Sequence, residues 1–164
     1  MRPSDALLRT FAAVPPTCRV LDAGCGTGRH MAALRLLGFE TVGVDKDAAT
    51  VAAATAATGS QVMVGDAGAL PFPEAHFGWV VAFRLLPSLE ADERDAILRE
   101  LYRVLEPGGW IYMAVETDAA PESLTDLMLE AGFALAERPV ADFDADEARL
   151  VRGIYRRIES GVVG

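Results

Sequence analysis

Short apolar runs alternate along this chain with stretches of helical periodicity, and glycines, prolines and acids mark the changes. Residues 4 to 13 predict a helix that Pro15 and Pro16 end. Residues 18 to 23 read as a strand stopped by glycines, and residues 29 to 37 as a helix closed by Gly38. A strand at 41 to 44 ends on Asp45. An alanine-rich helix then starts at Asp47 or Thr50 and ends near Gly59. Residues 61 to 64 form a strand running into Gly65 and Asp66, and Pro71, Pro73 and Glu74 mark a loop. The continuous apolar run 77 to 83 predicts a strand covered on both faces. A helix over 92 to 105 is stopped by Pro107-Gly108-Gly109, and 110 to 115 is a further buried strand. Residues 121 to 131 read as a helix with proline in its first turn and Gly132 at its end. Strands at 133 to 139 and 148 to 158 close the chain.

Strands that alternate with helices imply an α/β fold, a largely parallel sheet with right-handed crossovers. The last two strands are joined by residues 140 to 147, too short a link for a helical crossover, so one of them should run antiparallel. The acidic run 142 to 147 reads as a solvated turn, and 161 to 164 as a frayed tail. The 164 residues fit one domain. Within it, 1–16 is an N-terminal helical segment, 17–116 the core, and 117–160 a final helix and two strands.

Composition narrows the partners. A formal charge of −9 argues against nucleic acid, whose phosphates attract clustered bases. Lys46 is the only lysine; every other base is arginine. No apolar run approaches the roughly 20 residues that span a bilayer, and residues 1 to 10 lack the apolar stretch of a secretory leader. The expectation is a cytoplasmic location. Cys18 and Cys25 form no CxxC pair, and no His/Cys cluster has metal-ligand spacing, so both read as free thiols.

Candidate chemistry gathers at the ends of the first strands. Asp22-Ala23-Gly24-Cys25-Gly26-Thr27-Gly28 follows a strand and opens a helix. Glycines there permit a sharp turn and close ligand approach, and the helix N-terminus adds positive potential. The dinucleotide pattern G-x-G-x-x-G would need a third glycine where Arg29 stands, and no P-loop pattern occurs. Asp45 lies where an acid accepts from ribose hydroxyls. Asp66 is placed to accept from an adenine amine, with the Ala67 amide donating to the ring. Asp22 puts negative charge beside the loop, which suits an ammonium better than a pyrophosphate. Each acid taken alone also reads as a cap or turn residue.

With residues 20 to 29, Val42-Gly43-Val44-Asp45, Gly65-Asp66-Ala67, Leu70-Pro71-Phe72-Pro73 and the run 101 to 109 in place, the chain resembles the class I S-adenosylmethionine-dependent methyltransferases, closest to the ubiquinone/menaquinone-biosynthesis type. The resemblance implies a Rossmann-like seven-stranded sheet in the order 3-2-1-4-5-7-6, strand 7 antiparallel, with helices on both faces. It implies S-adenosylmethionine as cofactor. Asp22, Gly24, Gly26 and Gly28 would line the methionyl part, with Cys25 and Lys46 beside the site. Asp45 would meet the ribose, Asp66 and Ala67 the adenine, and Phe83 the reacting methyl group. The implied activity is methyl transfer to a small-molecule acceptor. Departures are Gly78, where the family usually has Asp, an apolar segment after the fourth strand, a single helix before the core and a short link after the fifth strand. The usual substrate cover is thus reduced. A large substrate, a second subunit over the site (a homodimer or partner) or loss of turnover would each account for that. The alternative reading is therefore a non-catalytic cofactor-binding or partner-activating subunit. An NAD-dependent oxidoreductase is disfavoured by Arg29.

No residue is assigned a catalytic role, because displacement at a sulfonium methyl needs alignment and dryness more than a base. Arg84 and Glu116, each after an apolar strand, are the substrate-pocket candidates, with Arg84 alternatively pairing with a helix acid such as Glu93. His30 and His76 read as exposed residues, and Cys25 as a small loop residue.

Overall fold

The computed structural model describes residues 2–86, 91–143 and 148–159. Seven strands form one sheet. They are β1 (Arg19–Ala23), β2 (Glu40–Asp45), β3 (Gln61–Val64), β4 (Phe77–Phe83), β5 (Leu105–Glu116), β6 (Phe133–Phe143) and β7 (Arg149–Arg157). The helices are α1 (Asp5–Ala12), α2 (Arg29–Leu36), α3 (Ala48–Thr58), α4 (Ala91–Val104) and α5 (Pro121–Glu130). Their spatial order is β3-β2-β1-β4-β5-β7-β6. β3, β2, β1, β4 and β5 pair in parallel, and β7 runs antiparallel to both β5 and β6. This is the Rossmann-like arrangement implied above.

Local chemistry sets the helix ends. Ser4 Oγ accepts from the Leu7 amide at 3.4 Å and opens α1. Asp47 Oδ1 accepts from the Thr50 amide at 2.7 Å and opens α3, which closes on Gly59 in the left-handed region. Pro121 begins α5.

Alternation along the strands splits the core in two. Leu21, Val80, Ile111 and Met113 face Leu98, Leu101, Leu124 and Met128 of α4 and α5. Val20, Trp79, Val81 and Tyr112 face Leu7, Phe11 and Leu34 of α1 and α2. Helices thus cover both faces, and β4 is buried along its whole length. Phe11 is fully buried against Phe39 and Trp79, with ring centroids 5.3 and 4.8 Å away, so α1 is docked on the sheet.

Two boundaries differ from the sequence reading. Pro107-Gly108-Gly109 does not end one element before another begins; it lies inside β5 as an irregularity. Phe77 pairs with Leu105 and Trp79 with Trp110, so the extra residues loop out without ending the pairing. β6 continues to Phe143, held by pairing of Val140 to Phe143 with β7. Asp142 is therefore a strand residue, while the rest of the acidic run, 144 to 147, and the tail expected to fray lie outside the described residues.

Candidate functional site

The strand order reverses between β1 and β4, the position at which doubly wound sheets open a crevice beyond their carboxyl ends. The glycine loop sits there. Gly24, Gly26 and Gly28 have φ of 71°, 55° and 82°, in the left-handed region that only glycine adopts at low cost. Gly28 is also packed: a Cβ there would lie 2.7 Å from Thr58 Cγ2. Gly26 is open, with nothing within 4 Å of a built Cβ.

The loop's amides are largely committed to the protein. Gly24 and Cys25 donate to the Val44 carbonyl at 2.8 and 3.0 Å, and Gly28 donates to the Cys25 carbonyl at 3.0 Å. Gly26 donates to Asp45 Oδ2 at 3.0 Å, while Asp45 Oδ1 accepts from the Asp47 amide at 3.0 Å. A phosphate cradle needs several amides pointing at the ligand. This loop instead leaves its backbone bare at Gly26, where a ligand can approach closely.

A cleft of about 480 Å³ lies beside the loop, lined by Gly24, Asp45, Lys46, Asp66, Ala67 and Arg84 among others. Leu85, Ala96 and Ile97 form part of its wall. Asp66 is exposed, and its Oδ1 accepts from the Gly68 amide at 2.7 Å in a local turn. Lys46 is exposed at the rim. Six of the sequence-derived site residues are thus brought together in one cleft.

The others lie apart from it. Asp22 is 2 % exposed and lines neither this cleft nor the one described below. Its Oδ2 has no hydrogen-bond partner. Burial pushes its carboxyl up to about 7; Arg29 opposes the rise and Asp45 adds to it. Cys25 is buried, and burial together with Asp22 and Asp45 pushes its thiol up to about 12, which leaves it inert at neutral pH. Phe83 faces the α1 side, its ring 4.6 Å from that of His30 and 5.2 Å from the Arg29 guanidinium. Arg84 and Glu116 do meet. Arg84 Nε donates to Glu116 Oε2 at 3.0 Å, at the end of the neighbouring strand. Phe83 pairs with Ala114, which carries the two strand ends to the same edge.

Both histidines correct the sequence reading. His30 is 4 % exposed, and its Nε2 accepts from the Ser4 amide at 3.2 Å. Burial, aided by Arg29, lowers its pKa to about 4 and holds it neutral. His76 is half-buried, hydrogen-bonded to Arg19 at 2.8 Å and packed against Phe72 and Phe77. Sequence reasoning missed both because their partners are distant in the chain. Gly78 has a packing reason: a Cβ there would lie 2.6 Å from Cys18 Cβ. It lies at the opposite end of β4 from the cleft, so this departure does not touch the site. Among the described residues no group of three or more His, Cys, Asp and Glu side chains is arranged to hold a metal ion. No helix among them is long and apolar enough to cross a membrane.

A seven-stranded sheet of this order, with a glycine loop and acidic strand ends at its reversal point, defines the class I methyltransferase architecture. Residues 21–113 match the methyltransferase domain family, and the chain belongs to it. It is similar to malonyl-[acyl-carrier protein] O-methyltransferase of Enterobacter lignolyticus, 35 % identical over 145 residues that cover 86 % of this chain and 54 % of that one. It is also similar to 2-methyl-6-phytyl-1,4-hydroquinone methyltransferase of Synechocystis, at 34 % over 62 % of this chain and 33 % of the relative. The chain thus spans about half the length, or less, of these curated relatives. Among solved structures, an S-adenosylmethionine-dependent methyltransferase from Methanosarcina mazei superposes with a TM-score of 0.82 at 16 % identity, covering 98 % of this chain and all of that one. A Burkholderia thailandensis 1,6-didemethyltoxoflavin-N1-methyltransferase, solved with S-adenosylhomocysteine, gives 0.77 at 19 % identity over 94 % of this chain and 80 % of that one. At these identities the two structures share the fold.

Proposed function

We propose that this chain, as a single domain, transfers a methyl group from S-adenosylmethionine to a small-molecule acceptor. The observation that carries the reading is the glycine loop, whose amides are committed internally, set beside a cleft that collects Asp45, Asp66 and Ala67. Such a loop suits an adenosine ligand without phosphates. In this reading Asp45 accepts from the ribose hydroxyls through the lone pairs its backbone contacts leave. Asp66 and the Ala67 amide hold adenine, and Lys46 lies at the rim. Gly24, Gly26 and Gly28, with Cys25 between them, let the methionyl part approach the backbone, and Asp22 supplies negative charge behind the loop. Its orphaned buried oxygen fits a cationic neighbour better than an anionic one.

When bound, the cofactor supplies a methyl group already activated by the sulfonium. The protein's task is then to align and to exclude water. Phe83, buried at the end of β4 beside α1, offers a dry wall for that alignment. Arg84, tied to Glu116, closes one side of the cleft. The reading includes a cytoplasmic location and leaves a second chain as a further cover for the strand ends.

Calorimetric titration with S-adenosylmethionine, S-adenosylhomocysteine and NAD tests it. Micromolar binding of the first two and none of NAD is expected. Asp45→Ala should weaken S-adenosylhomocysteine by about 1–3 kcal/mol. A folded protein that binds NAD, or neither sulfur compound, overturns the reading.

A further inference from the structure

A second cleft, of about 420 Å³, opens at the same carboxyl edge of the sheet on the α1 side of β4. Its walls come from the start of α1, the end of β4, the start of α2 and the paired ends of β6 and β7. Four arginines line it, Arg2, Arg9, Arg29 and Arg152, against two acids, Asp5 and Asp142. In a chain of net charge −9 this is a local excess of positive charge among the described residues.

The arginines are held ready rather than consumed. Arg29 donates one hydrogen bond, from Nη1 to the Arg2 carbonyl at 3.0 Å, and its guanidinium lies over the Phe83 ring. Arg152 reaches Asp142 only at 3.4 Å, and its Nε is buried without a hydrogen-bond partner. Tyr112, two positions along the neighbouring strand from the residue paired with Arg152, buries its hydroxyl beside Arg152 and Ser4. Buried donors without acceptors are costly and call for an anionic or strongly accepting ligand. Phe83 and Leu150 give the cleft an apolar side, and Phe143 is 68 % exposed at its mouth.

We propose that this cleft holds the methyl acceptor and that the acceptor is a small apolar molecule bearing a carboxylate. The inference rests on the methyltransferase reading above. The carboxylate pairs with the guanidinium forks of Arg152 and Arg29, and Arg9 adds charge from α1. The apolar body lies against Phe83 and Leu150. The two acids in the wall still leave an excess of two positive charges, which suits an anionic group.

Octanoate and its neutral analogue octanamide serve as probes, titrated into protein saturated with S-adenosylhomocysteine and followed by NMR shift perturbation. Octanoate is expected to bind roughly tenfold more tightly than octanamide. Arg152→Gln should remove that preference. Arg9→Gln, at an exposed position of α1, should reduce it several-fold. Both variants should hold S-adenosylhomocysteine within about twofold of the parent. Equal binding of the two probes, or no binding of either, overturns the inference while the cofactor reading stands. So does a parallel loss of S-adenosylhomocysteine affinity in the two variants, since the arginines would then hold the cofactor's own carboxylate. Failure of S-adenosylhomocysteine to bind the parent protein overturns the methyltransferase reading itself.

Discussion

Replacing Asp22 with Asn should make this protein more stable at neutral pH and worse at binding its cofactor. The carboxyl is 2 % exposed, one oxygen has no partner, and burial holds its pKa near 7 against an ordinary 3.8. A carboxyl whose folded pKa is raised favours the folded state least when ionised. The unfolded chain loses its proton near pH 4, and the folded chain resists doing so until about pH 7. Each pH unit in that window therefore removes about 1.4 kcal/mol of stability. The full penalty above pH 7 is roughly 4 kcal/mol, an upper bound because water and side chains relax around a buried charge. Asparagine has the same shape and no charge to bury. Urea unfolding of both proteins from pH 4 to 8 measures the difference. Taking that difference cancels His30, whose lowered pKa makes both proteins lose stability as pH falls below about 6.5. The stability gap should be near zero at pH 4, widen through pH 7 and then level off, with a gain in Tm of up to roughly 10 °C at pH 8. S-adenosylhomocysteine affinity should fall in the same variant. A gap that stays constant across the whole range refutes the reasoning, because it removes ionisation as the cause.

Three further outcomes follow from packing and pairing. Gly28→Ala combines a φ of 82° with a Cβ 2.7 Å from Thr58 Cγ2 and should cost about 1–3 kcal/mol in urea unfolding. Gly78→Ala should cost a similar amount, about 1–3 kcal/mol, and Cys18→Gly in the same chain should restore much of it, since the clash is between the two Cβ positions. Arg84→Met and Glu116→Gln, alone and together, should give a coupling below about 1 kcal/mol in a double-mutant cycle, as both side chains meet solvent.

The sheet and its order were legible because each element carries its own signal. Glycine spacing at 24, 26 and 28 places the loop, and uninterrupted apolar runs such as 77 to 83 mark strands covered on both faces. The gathering of Asp45 and Asp66 at one cleft followed from parallel strands that end at one edge. What escaped was set by residues far apart in sequence. His30 is buried only because α1 folds back and the Ser4 amide meets its ring. Arg84 finds Glu116 because β4 and β5 lie side by side, a pairing that local spacing does not reveal. Pro107 to Gly109 carries every local sign of a stop, yet pairing on either side spans it. The arginine cleft draws on α1, α2, β4, β6 and β7, so no contiguous motif announces it.

The Asp45 carboxylate joins three pieces of backbone: the end of β2, Gly26 of the loop and the Asp47 turn that opens α3. That tie has a kinetic consequence. The loop's ordering entropy is already lost at folding, so capture of a ligand involves little further freezing of the chain. Association should then approach the rate of simple docking, with differences among ligands residing in how fast they leave. Cutting the tie at Asp45 would shift that balance, slowing arrival as well as hastening departure, a signature that stopped-flow traces separate from a lost contact alone.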